Sequence, residues 1–154
     1  FSLNFCPDLD YGNIRHSLEE QGISKPTAQQ LRQTIINIRE AKLPDPKVMG
    51  NAGSFFMNPV VGRDVYERLA ARYEGMPHYV VDAEHIKIPA GWMIEQCGWK
   101  SASLGRAGVH DRQALVLVNR GGATGEEVVA LYKRIIEDVR NKFGIEIHPE
   151  VNVI

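Results

Sequence analysis

Cysteine is scarce in this chain: Cys6 and Cys97 are the only two, and their separation fits no metal-binding or redox motif. Both are expected as reduced, buried thiols of a cytoplasmic protein. No apolar run approaches the ~18 residues of a membrane-spanning helix, and no charged-then-apolar leader is present, so neither a membrane segment nor a secretory signal is expected. Neither sign of charge is in excess: 18 Lys and Arg against 19 Asp and Glu leave a formal net charge of −1. That balance argues against a nucleic-acid backbone binder, while leaving room for a local basic pocket. Repeats, low-complexity tracts, linkers and His-Glu-x-x-His spacing are all missing, and no metal is expected. An initiator methionine is missing too. The first residues, Phe1 to Phe5, alternate like a strand, which reads as a piece cut from something longer.

What remains is ordinary globular material. With 154 residues, 44% of them hydrophobic and 24% charged, the chain is long enough for one domain spanning 1–154 with a real core. Thr27 with Gln30 and Thr124 with Glu127 are capping boxes, each followed by an apolar stripe. The first stripe is Ala28, Leu31, Ile35 and Ile38, in a helix ending before Pro44. The second is Val128, Leu131, Tyr132, Ile135, Val139 and Phe143, closed by Gly144. Short helices are predicted around Val65 and Leu69, extending to Tyr73, and from Pro89 through Ala90, Met93, Ile94 and Cys97. Helical turns are expected within 13–22. His85-Ile86-Lys87-Ile88 and the aliphatic run Ala114–Val118 read as strands, the latter buried on both faces. Residues 100–108 read as a loop. The tail from Ile145 alternates, with Pro149 marking an edge or a bulge. The expected class is α+β, with a small, mainly antiparallel sheet packed with amphipathic helices.

The stretch Gly50-Asn51-Ala52-Gly53-Ser54-Phe55-Phe56-Met57-Asn58-Pro59 reads as a loop whose backbone comes close to a ligand, anchored in the core by Phe55 and Phe56. Ser54 lacks a nucleophile elbow, because Phe56 occupies the position of the second glycine. A serine after glycine is commonly a turn or cap residue; the alternative is an active-site hydroxyl. Arg39 and Lys42, three apart on a last helical turn, either complement the helix dipole or extend a positive surface. Tyr11 reads as turn packing or, alternatively, a ligand contact, Trp92 and Trp99 as core or rim packing or a binding platform, and His110 as structural or a general base. Glu150 points away from the apolar face, toward water or a cleft.

Several of these segments, taken in order, resemble UDP-N-acetylenolpyruvoylglucosamine reductase (the MurB family). They are Ile38–Pro46, Gly50–Phe56, Asn58–Val61, Pro89–Gly98, Ala107–His110, Gln113–Asn119 and Pro149–Val151. The resemblance covers nearly the whole chain but only the C-terminal, substrate-binding part of the family. It implies that an N-terminal FAD-binding domain of the same polypeptide is absent from these residues. It further implies reduction of UDP-N-acetylglucosamine enolpyruvate to UDP-N-acetylmuramate for peptidoglycan synthesis. NADPH is the reductant and FAD the carrier, with the 154-residue piece inactive by itself. By the same resemblance, Ser54 is the proton donor to C2 of the enolpyruvyl group and Glu150 the active-site glutamate. Arg39 and Lys42 face substrate, Lys42 toward the diphosphate; Asn58 and Gln113 contact the uridine diphosphate, and Tyr11 closes over substrate. Gly53 allows close approach to the flavin. Met57 stands where many family members have lysine. The rival expectation is a non-catalytic nucleotide-sugar binding module. Neither reading involves nucleic acid or a membrane.

Overall fold

The computed structural model describes residues 4–10 and 12–152. The chain divides into two compact units, Phe1–Leu43 and Pro44–Ile154.

The first unit is a helical pair, α1 (Ile14–Glu20) and α2 (Ala28–Lys42). The α2 capping box is formed as predicted: Thr27 Oγ1 accepts from the Gln30 amide at 3.2 Å, and Gln30 Oε1 accepts from the Thr27 amide at 2.9 Å. The stripe on α2 is only half-buried at Leu31, Ile35 and Ile38, Ala28 is exposed, and the buried residue is Thr34. Its hydroxyl accepts from Gln21 Nε2, which explains how a polar side chain occupies that place. The alternation read in Phe1–Phe5 lies largely outside the described residues; Asn4 and Phe5 are not in a strand. Cys6 is exposed, contrary to expectation. Cys97, in the second unit, is half-buried, and that burial pushes its thiol pKa up.

The second unit carries two antiparallel sheets. β1 (Asn51–Ser54), β7 (Val116–Asn119), β6 (Ala107–Val109) and β5 (Ser103–Leu104) lie side by side in that order. β2 (Val60–Gly62), β4 (His85–Lys87) and β3 (Tyr79–Val80) form the other sheet. α3 (Arg63–Ala70), α4 (Ala90–Gln96) and α5 (Gly125–Phe143) complete the unit. Helices and antiparallel sheets interspersed in this way are the α+β class expected. The core unites Phe55, Phe56, Ile88, Met93, Ile94 and Val109 with the α5 stripe Leu131, Ile135, Val139 and Phe143. Full burial of each such side chain contributes about 1.5–3 kcal/mol, so α5 is the main brace of the unit. Tyr73 lies beyond α3, and with Trp92 and Phe143 it makes an aromatic cluster of centroids 5.3–5.5 Å apart. Trp99 packs on the core and donates Nε1 to Asp138 Oδ2 at 3.0 Å. Both tryptophans are thus packing residues.

The segment read as a loop, 100–108, holds the β5–β6 hairpin. Its strand-poor composition has a cause in β6. A Cβ on Gly108 would lie 2.5 Å from Arg120 Nε and 2.6 Å from Ser103 Oγ. Glycine therefore lets the Arg120 guanidinium cross the strand and donate to Ser103 Oγ at 2.7 Å and to the Val109 carbonyl at 2.9 Å.

The hairpin is tied to α5 by one carboxylate. Glu127 completes the second capping box, accepting from the Thr124 amide at 2.9 Å, and pairs with Arg106 Nη2 at 2.9 Å. The Arg106 side chain, with help from the Thr124 and Arg106 amides, holds the Glu127 pKa at about 2, below the ordinary 4.5. A depressed carboxyl stabilises the fold fully above its ordinary value and loses that contribution as pH falls through its folded value. Thermal unfolding followed from pH 4.5 down to 2 should therefore show the midpoint dropping more steeply in the native protein than in Glu127→Gln. Parallel curves would mean that the ion pair adds nothing to stability.

Candidate functional site

β1 is the edge strand of its sheet, so the glycine-rich stretch is a strand where a loop was expected. The strand is irregular. Asn51 pairs with Val118 and Ser54 with Val116, so three residue steps on β1 face two on β7. The extra residue is a bulge, and Gly53, at φ +72°, supplies the left-handed backbone it needs. A bulge re-aims the side chain that follows it, and that side chain is Ser54. Its hydroxyl is exposed and makes no hydrogen bond among the described residues. Asn51 closes the bulge: Oδ1 accepts from the Gly53 amide at 3.0 Å, and Nδ2 donates to the Met49 carbonyl at 2.9 Å.

Immediately after the bulge, Phe55 and Phe56 turn into the core, 5% and 1% exposed. They anchor the stretch as expected. The Phe55 amide bonds the Leu115 carbonyl at 2.8 Å, which secures the stretch to the segment preceding β7. On its other flank comes the chain terminus. The Met57 amide donates to the His148 carbonyl at 2.9 Å, the Glu150 amide donates to the Phe55 carbonyl at 2.8 Å, and Phe56 bridges Pro149. The tail is therefore an isolated antiparallel bridge where a longer strand was expected. Pro149 falls at the position that needs no amide donor, which is why proline is tolerated there. This register sets Glu150 opposite Phe55, one residue from Ser54, and its side chain is exposed.

Asn58 and Gln113 meet the first turn of α4. Asn58 Oδ1 accepts from the Ala90 amide at 2.8 Å, capping the helix from outside its own chain segment. Gln113 Oε1 accepts from the Leu115 amide at 3.4 Å and lies 3.4 Å from where a Cβ on Gly91 would stand. Because each partner is an N–H, the oxygen of each side-chain amide must face it. The NH₂ end of each is left as an unpaired donor among the described residues. Two amide donors so arranged suit a ligand rich in acceptor oxygens.

Arg39 and Lys42 belong to the first unit, both exposed on the last turn of α2. Tyr11 lies outside the described residues. His110 is 5% exposed, with Nδ1 accepting from the Arg112 amide at 3.3 Å and Nε2 at 3.2 Å from Asp111 Oδ1, in keeping with the structural reading. Among the described residues no cluster of three or more His, Cys, Asp or Glu could hold a metal. No helix among them is long and apolar enough to cross a membrane.

Two features escaped the sequence reading. Asn51 organises the bulge, and an asparagine two residues before a glycine is the signal for such a turn. Lys87 pairs across the small sheet with both Val60 and Tyr79, and the two partners are 50% and 63% exposed. Val60 and Tyr79 thus flank Lys87 from the two neighbouring strands, and Val60 stands two residues after Asn58 in the chain. Only the register reveals the Val60 neighbour, which lies far from Lys87 in sequence.

The C-terminal domain of UDP-N-acetylenolpyruvoylglucosamine reductase matches residues 45–154. Curated proteins named UDP-N-acetylenolpyruvoylglucosamine reductase are similar over nearly all of the chain. The Bacteroides fragilis protein is 62% identical over 147 residues, covering 95% of this chain and 43% of its own length. The Porphyromonas gingivalis protein is 52% identical over 146 residues, covering 95% and 43%. The Pseudomonas aeruginosa protein is 52% identical over 145 residues, covering 94% and 43%. The chain thus spans less than half the length of these relatives, and it belongs to the UDP-N-acetylenolpyruvoylglucosamine reductase C-terminal domain family.

Proposed function

We propose that the chain is the substrate-binding part of a cytoplasmic UDP-N-acetylmuramate dehydrogenase. The whole protein would reduce UDP-N-acetylglucosamine enolpyruvate with NADPH through FAD, a step of peptidoglycan synthesis. The observation that supports this reading is the register that sets Glu150 opposite Phe55, the residue after Ser54, with Ser54 and Glu150 both exposed. Open space at this edge supports a flavin there: a Cβ at Gly53 would meet nothing within 4 Å, so a flat ring could approach the bare backbone. When bound, FAD supplies the hydride for the enolpyruvyl double bond. It would be held mainly by the N-terminal domain of the whole polypeptide, and the 154-residue chain alone would be inactive.

The chain's own residues then divide the work. Ser54 Oγ holds a proton over C2 of the enolpyruvyl group and gives it to the carbanionic centre; solvent restores the serine proton. A hydroxyl is a weak acid, but an enolate-like centre is a strong base, and a fixed donor in line suffices. Glu150 orients and polarises the groups around that centre. The NH₂ ends of Asn58 and Gln113 donate to the uridine diphosphate, and the family resemblance assigns substrate contacts to Arg39, Lys42 and Tyr11 as well. A compact ammonium such as Lys42 is a suitable partner for a diphosphate. A nucleotide-sugar binding module without chemistry would have no need of Ser54.

In the full-length protein, Ser54→Ala should leave flavin reduction by NADPH intact and slow reoxidation by substrate by about 10²-fold or more. Reoxidation at the native rate would remove Ser54 from its role. Asn58 separates binding from stability. Asn58→Asp keeps the oxygen that caps α4 but replaces the donor with negative charge, so thermal stability should hold while substrate affinity falls about tenfold or more. Asn58→Ala should also cost about 1 kcal/mol of stability through the orphaned Ala90 amide. If calorimetric titration showed unchanged affinity for both variants, Asn58 would be a helix cap only.

A further inference from the structure

We infer that Asn51 is a positioning residue for Ser54: its side-chain amide holds the β1 bulge in the shape that presents the serine hydroxyl to the substrate. The inference rests on the assignment of Ser54 as proton donor. Ser54 Oγ has no hydrogen bond among the described residues, so the hydroxyl is placed by its backbone. That backbone follows Gly53, whose φ of +72° is one of several conformations open to glycine. Nothing lies within 4 Å of a Cβ position at Gly53, so no packing confines it either. Pairing with β7 holds the strand on either side of the bulge, and within the bulge the confinement of Gly53 comes from Asn51. Its Oδ1 takes the Gly53 amide at 3.0 Å. Its Nδ2 donates to the Met49 carbonyl at 2.9 Å and reaches the Pro44 carbonyl at 3.4 Å.

The half-buried Asn51 thus spans the strand entrance at one end of its amide and the left-handed glycine at the other. Its amide is committed to backbone, so its effect on the reaction runs through Ser54. Loss of the amide frees Gly53 and lets the hydroxyl leave its line with the substrate, and a displacement of about 1 Å can cost 10²-fold in rate. The two ends of the amide can be separated by substitution. Asn51→Asp keeps an oxygen for the Gly53 amide and loses the donor to Met49 and Pro44, whereas Asn51→Ala loses both.

The test uses the full-length flavoprotein under anaerobic stopped-flow conditions. Flavin reduction by NADPH and flavin reoxidation by UDP-N-acetylglucosamine enolpyruvate are measured separately for native protein, Asn51→Ala, Asn51→Asp and Ser54→Ala. For Asn51→Ala we expect flavin reduction within about twofold of native and a limiting reoxidation rate slower by about tenfold or more. The substrate concentration at half-maximal rate should stay near native, and Asn51→Asp should recover most of the loss. A native limiting rate in Asn51→Ala beside a slow Ser54→Ala overturns the role of Asn51 alone. A native rate in Ser54→Ala overturns the underlying assignment. If both Asn51 variants lose flavin reduction and reoxidation alike, the residue is merely structural and the inference fails.

Discussion

The pairing of Phe55-Phe56-Met57 with His148-Pro149-Glu150 is the constraint on which the site depends. Two backbone hydrogen bonds, of 2.9 and 2.8 Å, flank the Phe56–Pro149 bridge and join the chain's middle to its end. They are few, but they are backed by burial: Phe56 is 1% exposed, Ile147 is fully buried, and Phe55 packs edge-on against Phe56 with centroids 5.1 Å apart. Moving the tail by one residue would carry Ile147 out of the core. The register is therefore fixed by hydrophobic burial, and the position of Glu150 relative to Ser54 follows from it.

From that anchor the rest of the edge is built with polar groups that each serve the backbone with one atom and keep another free. Asn58 caps α4 with its oxygen and offers its nitrogen; Gln113 does the same with the Leu115 amide. The fold thereby fixes side chains that would otherwise lose rotamer entropy on meeting a ligand, which is how preorganisation improves binding. Ser54 is the exception, since only its backbone is held, by β7 and by the Asn51 contact to Gly53. Glu127 commits both of its oxygens instead, joining the β5–β6 hairpin to the start of α5.

Local chemistry was legible in the sequence wherever neighbours along the chain decide the outcome. Both capping boxes, the α5 stripe and its Gly144 stop, and the doubly buried β7 run are of this kind. The misses share a different cause. Gly108 reads as a strand breaker until Arg120, twelve residues on, is seen lying across it. Gly53 reads as a loop until β7 supplies a partner for its bulge. The tail reads as a regular strand, yet only one bridge forms at Pro149. In the site, Ser54 carried no spacing signal of its own, and it was the resemblance that pointed to it; the structure adds that Glu150 stands opposite the next residue, Phe55. The helix-capping half of Asn58 could not be read from sequence, because its partner Ala90 lies 32 residues away.

The central claim is that the bulged edge strand and the paired terminus form one reaction site. A crystal structure of the full-length protein with UDP-N-acetylglucosamine enolpyruvate bound tests it most directly. The account predicts the enolpyruvyl C2 facing Ser54 Oγ, with the Glu150 carboxylate beside the same group and the diphosphate on the Asn58 and Gln113 amides. A substrate bound away from the β1 edge, with Ser54 and Glu150 facing only solvent, would contradict it.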